Sequence, residues 1–330
     1  MSNRRKLLVA LGLGALSATI PALAQQPPKV WRVGFLSGNS HPALLDSGYL
    51  GVFLQEMREL GYVEGQNLIV ESRFADGKFE RFPDLMAELV RYKVDVIVIA
   101  STPAALAAKK ATTTIPIVMA SVTDPVGSGL VASLAYPEGN LTGLSLVGTD
   151  IIAKQLEMMV AAVPKLSRVA LFLNPANPVN IPVLKNVQAA ARSLGAIVLP
   201  IPAHTPEEIE QGFATMKRKH AGAVMIAPDA LFGNQRLQIA ELASRYRLPS
   251  IGLYRQYAEA GVLMSYGQEI ADSYRRAATY VDKILKGAKP SELPIEQPTR
   301  FYLVINRKTA NSLGLIIPQE LLLRADEVIE

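Results

Sequence analysis

Short apolar segments alternate with amphipathic ones along most of this chain, and the whole pattern occurs twice. Trp31–Ser37 is apolar and rich in β-sheet formers, and Arg168–Leu173 has the same character. Later segments of the two halves also correspond, at offsets of about 128 to 136 residues. Nearly continuous apolar strands separated by helices are typical of parallel sheets covered on both faces. The repeat therefore predicts an α/β fold of two similar Rossmann-like lobes with parallel sheets.

The remaining segments predict how the chain is divided between these lobes. The strands are expected at 31–37, 67–74, 95–100, 115–120, 168–173, 197–201, 223–227, 249–254, 262–266 and 300–305. The helices are expected at 45–60, 82–90, 183–194, 206–219, 231–246, 270–285 and 307–313, with another starting at 102–103. The elements after residue 262 are explained if the chain crosses between lobes more than once, near 141–146, 265–268 and 294–299. We therefore predict lobe 1 as 29–143 with 266–295, lobe 2 as 144–265 with 296–330, and a multi-crossing hinge.

The first 24 residues differ from the rest of the chain. Three basic residues at 4–6 precede an apolar run over 7–20, and Ala22-Leu23-Ala24 offers a small-residue cleavage pattern. This order is typical of a secretory signal peptide, so we expect cleavage after Ala24 and a periplasmic protein. A membrane anchor is the alternative, but the run is short and contains Gly, Ser and Thr. Because the chain has no Cys, we also expect no lipid anchor, disulfide or thiolate metal site.

The basic net charge comes partly from that first segment. The chain has 34 Lys and Arg against 29 Asp and Glu, and without residues 1–24 the basic count is 31. A secreted and nearly neutral protein is a poor candidate for binding nucleic acid.

Small polar residues follow the predicted strands, where open parallel sheets bind ligands. The strand ends are 37–39, 101–103, 121–124, 174–177, 228–229 and Tyr254. If the two lobes face one another, these segments converge on one cleft.

Each of these positions also has a purely structural interpretation. Ser101 and Thr102 before Pro103 predict a helix start, which either binds a ligand carboxylate or phosphate or is a plain N-cap. Asp124 either pairs with a ligand ammonium or belongs to an ordinary Asp-Pro turn. The amides around Asn174 either bind a polar ligand or form a turn. Tyr254, with Tyr257 and Tyr266, either forms an aromatic wall or belongs to a core.

Motifs typical of enzymes are missing from the sequence. The three histidines have no metal-ligand spacing, and no HExxH, GxSxG or GxxxxGK[ST] motif occurs. We therefore expect no catalytic residue, metal or cofactor.

Segments that run nearly end to end after the predicted signal peptide resemble the ABC-transporter substrate-binding proteins of the tryptophan/tyrosine-binding type. The similar segments are Val33-Gly34-Phe35-Leu36-Ser37, 60–67, 102–109, 114–118, 124–126, Gly139-Asn140-Leu141-Thr142-Gly143, 174–178, 261–267 and 323–329. The resemblance implies the type I periplasmic-binding architecture, in which a clamp closes on a small solute and then docks on an ABC permease in the inner membrane. The family's ligands include aromatic amino acids, so the expected ligand is an amino acid, aromatic or not, or a small carboxylate. The ligand-binding residues that the resemblance implies are Ser37, Ser101, Thr102, Thr123, Asp124, Asn174, Asp229 and Tyr254.

Other functions remain open from the sequence. We expect a monomer that delivers a solute, but a periplasmic sensor that presents its solute to a membrane receptor or kinase would have the same sequence features. A sugar-sensing repressor core shares the fold, although the signal peptide and the lack of DNA-binding helices argue against it. A secreted enzyme that uses Asp124 or Asp229 is the third alternative.

Overall fold

The computed structural model describes residues 29–41, 48–146 and 150–330. The predicted signal peptide and the predicted start of the first helix at Leu45 lie outside these residues. The strands are β1 (Trp31–Ser37), β2 (Leu68–Phe74), β3 (Val96–Ala100), β4 (Ile117–Thr123), β5 (Leu141–Leu146), β6 (Arg168–Leu173), β7 (Ile197–Pro202), β8 (Ala223–Ile226), β9 (Ser250–Gly252), β10 (Met264–Gly267), β11 (Tyr302–Asn306) and β12 (Glu327–Ile329).

The helices alternate with these strands, as the repeated pattern predicts. They are α1 (Gly48–Glu59), α2 (Phe82–Arg91), α3 (Thr102–Ala111), α4 (Asp150–Ala162), α5 (Asn180–Ser193), α6 (Pro206–Arg218), α7 (Ala230–Asn234), α8 (Arg236–Arg245), α9 (Arg255–Glu259), α10 (Ile270–Leu285), α11 (Arg307–Leu313) and α12 (Gln319–Arg324). Two short 3-10 turns lie at Phe79–Arg81 and Pro290–Glu292.

The described strands form two sheets, one in each lobe. The first sheet has the order β2-β1-β3-β4-β5, and all of its pairs are parallel. The second has the order β12-β11-β10-β9-β8-β6-β7 and is parallel except for the pair of β10 with β11. The predicted α/β fold with two parallel-sheet lobes is therefore confirmed.

Both faces of the first sheet are buried, because successive side chains of a strand point to opposite faces. Val96 and Val98 of β3 pack with α1 and α10 on one face. Ile97 and Ile99 pack with α2 and α3 on the other. This explains why the sequence of β3 is apolar without interruption. The second sheet is built the same way, with α4, α5, α11 and α12 on one face and α6 to α9 on the other.

The chain passes between the lobes three times. It leaves the first sheet after β5, returns after β10 to α10, and enters the second sheet again at β11. The third passage is attached to β5, because the Ser145 N–H donates to the Glu296 carbonyl and the Glu296 N–H donates to the Gly143 carbonyl, both at 2.9 Å. Arg276 of α10 forms a bidentate ion pair with the Glu296 carboxylate.

Several predicted boundaries differ from the structure. Residues 141–146, predicted as a crossing, form strand β5 of the first sheet, and the crossing follows it. The predicted helix over 231–246 is two helices that meet at Gln235. The pattern missed α4, α9, α12 and β12. The exact residue ranges of the two lobes stay a prediction. In the structure, β5 is part of the first sheet as far as Leu146, and β10 is part of the second sheet as far as Gly267.

Candidate functional site

A cavity of about 520 Å³ lies between the two lobes, at the carboxyl ends of their strands. Cavities at this edge of parallel sheets are the usual ligand sites of α/β proteins. The first lobe contributes residues that follow β1, β3 and β4, and the second contributes residues that follow β8 and β9. The polar and aromatic lining residues include Ser37, Tyr49, Phe74, Ser101, Ser121, Thr123, Asn177, Asp229, Arg236, Tyr254, Gln256 and Tyr257.

The structure brings six of the eight predicted ligand-binding residues to this cavity. These six are Ser37, Ser101, Thr102, Thr123, Asp229 and Tyr254. Asp124 and Asn174 are not among the lining residues.

Asp124 is engaged in its own turn. Its Oδ1 accepts a hydrogen bond from the Gly127 N–H at 2.9 Å, and its backbone φ of 45° lies in the left-handed region. The structure therefore favours the Asp-Pro turn over a ligand contact for this residue. This hydrogen bond holds the Asp124 carboxylate in its own turn, and Asp124 does not line the cavity.

Asn174 contacts Asp229 instead of the cavity. Its Nδ2 donates to Asp229 Oδ1 at 3.1 Å, and Nδ2 of Asn177 donates to Asp229 Oδ2 at 2.9 Å. The N–H of Leu231 donates to Oδ1 at 2.9 Å, because Asp229 is the N-cap of α7. Asn174 is thus a positioning residue, and these three donors fix the orientation of the Asp229 carboxylate at the cavity.

Burial dominates the electrostatics of Asp229. It raises the pKa of this carboxyl from 3.8 to about 6, although the hydrogen bonds from Asn177, Asn174 and Leu231 act in the opposite direction. Below about pH 6, Asp229 therefore takes up a proton in the closed protein. A cationic group bound next to it would favour the ionised form.

Ser101 stands at the start of α3 in a strained conformation. Its φ of 149° is rare for a residue other than glycine, and such conformations cluster at ligand sites. Its Oγ caps α3 by accepting a hydrogen bond from the Ala104 N–H at 3.3 Å. The first turn of this helix, where backbone N–H groups lack helical partners, therefore lies at the cavity.

Thr102 attaches α3 to β4. Its hydroxyl donates to the Thr123 carbonyl at 2.9 Å and accepts from the Thr123 N–H at 3.2 Å, and both residues are buried. We expect Thr102→Val to lower the free energy of unfolding by about 1–3 kcal/mol, because it leaves buried backbone groups without partners. Chemical denaturation would measure this loss. Thr102→Ser, which keeps the hydroxyl, is the matched control, and equal stability of the two variants would contradict this role.

Tyr254 connects the two lobes. It follows β9 in the second lobe, yet its ring packs against the hydrophobic cores of both lobes. Its hydroxyl interacts with the Ser121 side chain of the first lobe, and burial raises its pKa to about 12. The phenol therefore stays protonated at neutral pH and is available as a hydrogen-bonding group at the cavity.

Several residues that line the cavity are not predicted from the sequence. Tyr49, in the first turn of α1, stacks on Tyr274 with ring centroids 4.9 Å apart. Phe74 ends β2 and lies edge-on to His41. Phe74 is the last residue of a predicted strand and Tyr49 lies near the start of a predicted helix, and these positions are the signal that could have placed both near the cleft. Nothing in the local sequence indicates that Arg236 lines the cavity.

The two lobes touch at the edge of the cavity, so the structure is a closed form. A Cβ added to Gly38 of the first lobe would lie 2.9 Å from the Cβ of Ala230 in the second. The Ser40 N–H also donates weakly to Oδ1 of Asn234 across the cleft, at 3.4 Å. Glycine at position 38 thus permits the close approach of the lobes.

The described residues contain neither a candidate metal site nor a helix that could span a membrane. No group of three or more His, Asp or Glu side chains in this part of the chain is placed to hold a metal ion. No helix within it combines the length and apolar character needed to cross a membrane.

The sequence matches a known family almost from end to end. A family model described as "ABC transporter substrate binding protein" matches residues 33–329. The chain belongs to the ABC transporter substrate-binding protein family. Proteins of this family bind small solutes, and the two-lobed fold with a cleft at the strand ends agrees with that role.

Individual relatives of this substrate-binding protein support the same assignment. The tyrosine-binding protein of Clostridioides difficile is 26% identical over 277 residues, which cover 83% of this chain and 78% of that protein. A conserved domain protein from Vibrio cholerae has a TM-score of 0.84 and 27% identity, covering 91% of this chain and 100% of the other. The ABC domain from Streptococcus pneumonia in complex with L-Trp has a TM-score of 0.79 and 25% identity, covering 90% and 100%.

Proposed function

We propose that this protein captures an α-amino acid with an aromatic side chain in the periplasm and delivers it to an ABC permease. The observation that carries the proposal is the cavity between the lobes, which combines an oriented carboxylate, Asp229, with several aromatic side chains. A tyrosine-binding protein and an L-Trp complex among the relatives agree with this ligand class.

Each part of such a ligand has a complementary group in the cavity. The ammonium pairs with Asp229, which replaces Asp124 in this role. The ligand carboxylate accepts hydrogen bonds from the first turn of α3 at Ser101 and Thr102, where the helix dipole also favours an anion. The aromatic side chain lies among Tyr49, Phe74 and Tyr254, whose rings form an apolar wall.

Closure of the clamp follows from contacts that only the closed form offers. The ligand touches both lobes when they meet, so its affinity for the closed form exceeds that for an open one. The three passages between the lobes serve as the hinge. The permease then recognises the closed arrangement.

Calorimetry on the refolded protein, freed of carried-over ligand by unfolding, tests this function. We expect binding of L-tyrosine, L-tryptophan or both. We expect weak or no binding of 3-(4-hydroxyphenyl)propionate, which lacks the ammonium that Asp229 would hold. Equal affinity for that analogue, or no binding of any aromatic amino acid, would contradict the proposal.

A further inference from the structure

Three tyrosine hydroxyls at the cavity form no hydrogen bond with any of the described residues. They belong to Tyr49 and Tyr274 of the first lobe and to Tyr257 of the second. A tyrosine hydroxyl that is withdrawn from water usually has a protein partner, because an unmade hydrogen bond costs free energy. These three hydroxyls therefore need an explanation.

Two tyrosines that do not line the cavity provide a comparison. The Tyr62 hydroxyl donates to Oδ1 of Asp282 at 2.9 Å, and the Tyr280 hydroxyl donates to the Pro294 carbonyl at 2.6 Å. Both bonds are made within the first lobe and its attached hinge segment. In this comparison the hydroxyls without a partner are the ones at the cavity, where a bound molecule can supply it.

The three hydroxyls also remain accessible. In the described part of the chain, the buried side-chain polar atoms without a partner are the Oε1 atoms of Gln155, Gln238 and Gln256. The tyrosine hydroxyls are not among them, so each keeps contact with open space. Tyr257 and Tyr274 are only 3% and 2% exposed and line the cavity, so for these two residues the open space is the cavity itself.

Tyr49 and Tyr257 reach the cavity from opposite lobes. Tyr49 lies in the first turn of α1, and its ring is held parallel to the ring of Tyr274, with the two planes 4° apart. Tyr257 lies in α9 and packs in the core of the second lobe. Burial raises the pKa of both hydroxyls well above 10, so they stay protonated at neutral pH. Each therefore offers one O–H donor and two lone pairs to a ligand.

The rings of the aromatic amino acids differ in how well they serve such hydroxyls. A phenyl ring has no hydrogen-bonding group. An indole has one N–H donor and no acceptor, so it leaves the tyrosine O–H groups without a place to donate. A phenol has one donor and two lone pairs, so it can donate to one tyrosine hydroxyl and accept from another.

We propose that the hydroxyls of Tyr49 and Tyr257 bind a hydroxyl on the aromatic ring of the ligand, and that they select a phenol over an indole and an indole over a phenyl ring. This inference rests on the proposed binding of aromatic amino acids and adds which ring the cavity takes. A site that is built to hydrogen-bond a ligand hydroxyl rejects the analogue without one, because its own polar groups are then left unpaired.

Calorimetry with three natural amino acids tests this selectivity on the refolded, ligand-free protein. We expect L-tyrosine to bind about 30-fold or more tightly than L-phenylalanine, with L-tryptophan between them. Equal affinities for L-tyrosine and L-phenylalanine would overturn the inference and leave the proposed function intact. A protein that binds none of the three would lose the proposed function together with the inference.

Removing single hydroxyl groups tests which residues are responsible. Tyr49→Phe and Tyr257→Phe should each weaken L-tyrosine binding by about tenfold and change L-phenylalanine binding by less than about twofold. A merely structural role would weaken both ligands alike. Tyr62→Phe is the matched control, because it removes a hydroxyl that does not line the cavity, and it should leave the ratio of the two affinities unchanged. An unchanged ratio in both cavity variants would overturn the assignment of Tyr49 and Tyr257.

Discussion

Replacing Asp229 by Asn is expected to weaken the binding of an aromatic amino acid by about 2–5 kcal/mol, because the ligand ammonium loses its charged partner in a buried site. The three groups that orient Asp229 also donate to its carboxylate, so the Asn side chain would turn an N–H₂ toward at least one donor. Calorimetry at pH 7.5 measures the change in affinity.

Asp124→Asn is the matched control for this substitution. Its carboxylate accepts a hydrogen bond within a local turn and does not line the cavity. We expect a change in ligand affinity of less than about 0.5 kcal/mol. If Asp124→Asn weakened binding as much as Asp229→Asn, the ammonium site would have to be assigned to Asp124 after all.

The carboxyl of Asp229 also makes ligand binding depend on pH. Because burial raises the pKa of Asp229 to about 6, a proton competes with the ligand ammonium below that pH. Affinity should therefore fall as pH drops through 6, by about tenfold per pH unit below it, and Asp229→Asn should abolish this dependence.

The contribution of Asp229 to the stability of the ligand-free fold has the opposite pH dependence. The raised pKa contributes stability below about pH 4, and that contribution is lost as pH rises through 6.

Gly143→Ala is expected to destabilise the fold by about 3 kcal/mol or more, because the new Cβ has no space and the backbone is unsuited to it. Gly143 lies in β5 at φ 121°, and an added Cβ would lie 2.3 Å from the Met119 carbonyl oxygen and 2.6 Å from the Met119 nitrogen of β4. Its own carbonyl accepts the Glu296 N–H of the third passage between the lobes. Thermal unfolding should shift downward by about 5 °C or more.

Gly139→Ala provides the comparison for this effect. Gly139 also has a positive φ, 69°, but no atom lies within 4 Å of an added Cβ. We expect a loss of about 1 kcal/mol from the backbone conformation alone. Equal losses in both variants would mean that the contact with Met119 does not contribute.

The sequence was sufficient for the fold because burial on both faces of a sheet leaves a clear pattern. β3 reads as Val-Ile-Val-Ile-Ala, and each neighbouring helix carries one apolar stripe. Strand β5 is harder to predict from the sequence, because Leu141–Leu146 is buried although it contains Thr, Gly and Ser. Its polar groups are satisfied by contacts distant in sequence, such as the Thr142 hydroxyl with the Leu293 carbonyl.

The site was predicted less completely, for two physical reasons. Strand ends identify Ser37, Ser101 and Asp229 because parallel strands deliver their carboxyl ends to one edge. The same rule cannot tell whether a side chain such as Asp124 turns toward the cleft or back onto its own backbone. Arg236 lies beyond α7, several residues after β8, and reaches the cavity because the predicted single helix breaks at Gln235.

The three covalent passages between the lobes limit how the molecule can move. Two bodies joined by one strand can twist and slide, whereas additional links between them restrict both motions. Attachment of the Glu296 segment to β5 couples two of these links, so they must bend together. The distance between two surface points, one on each lobe, then changes as the lobes open and close. A protein that measures this distance detects an occupied cleft without contacting the bound molecule.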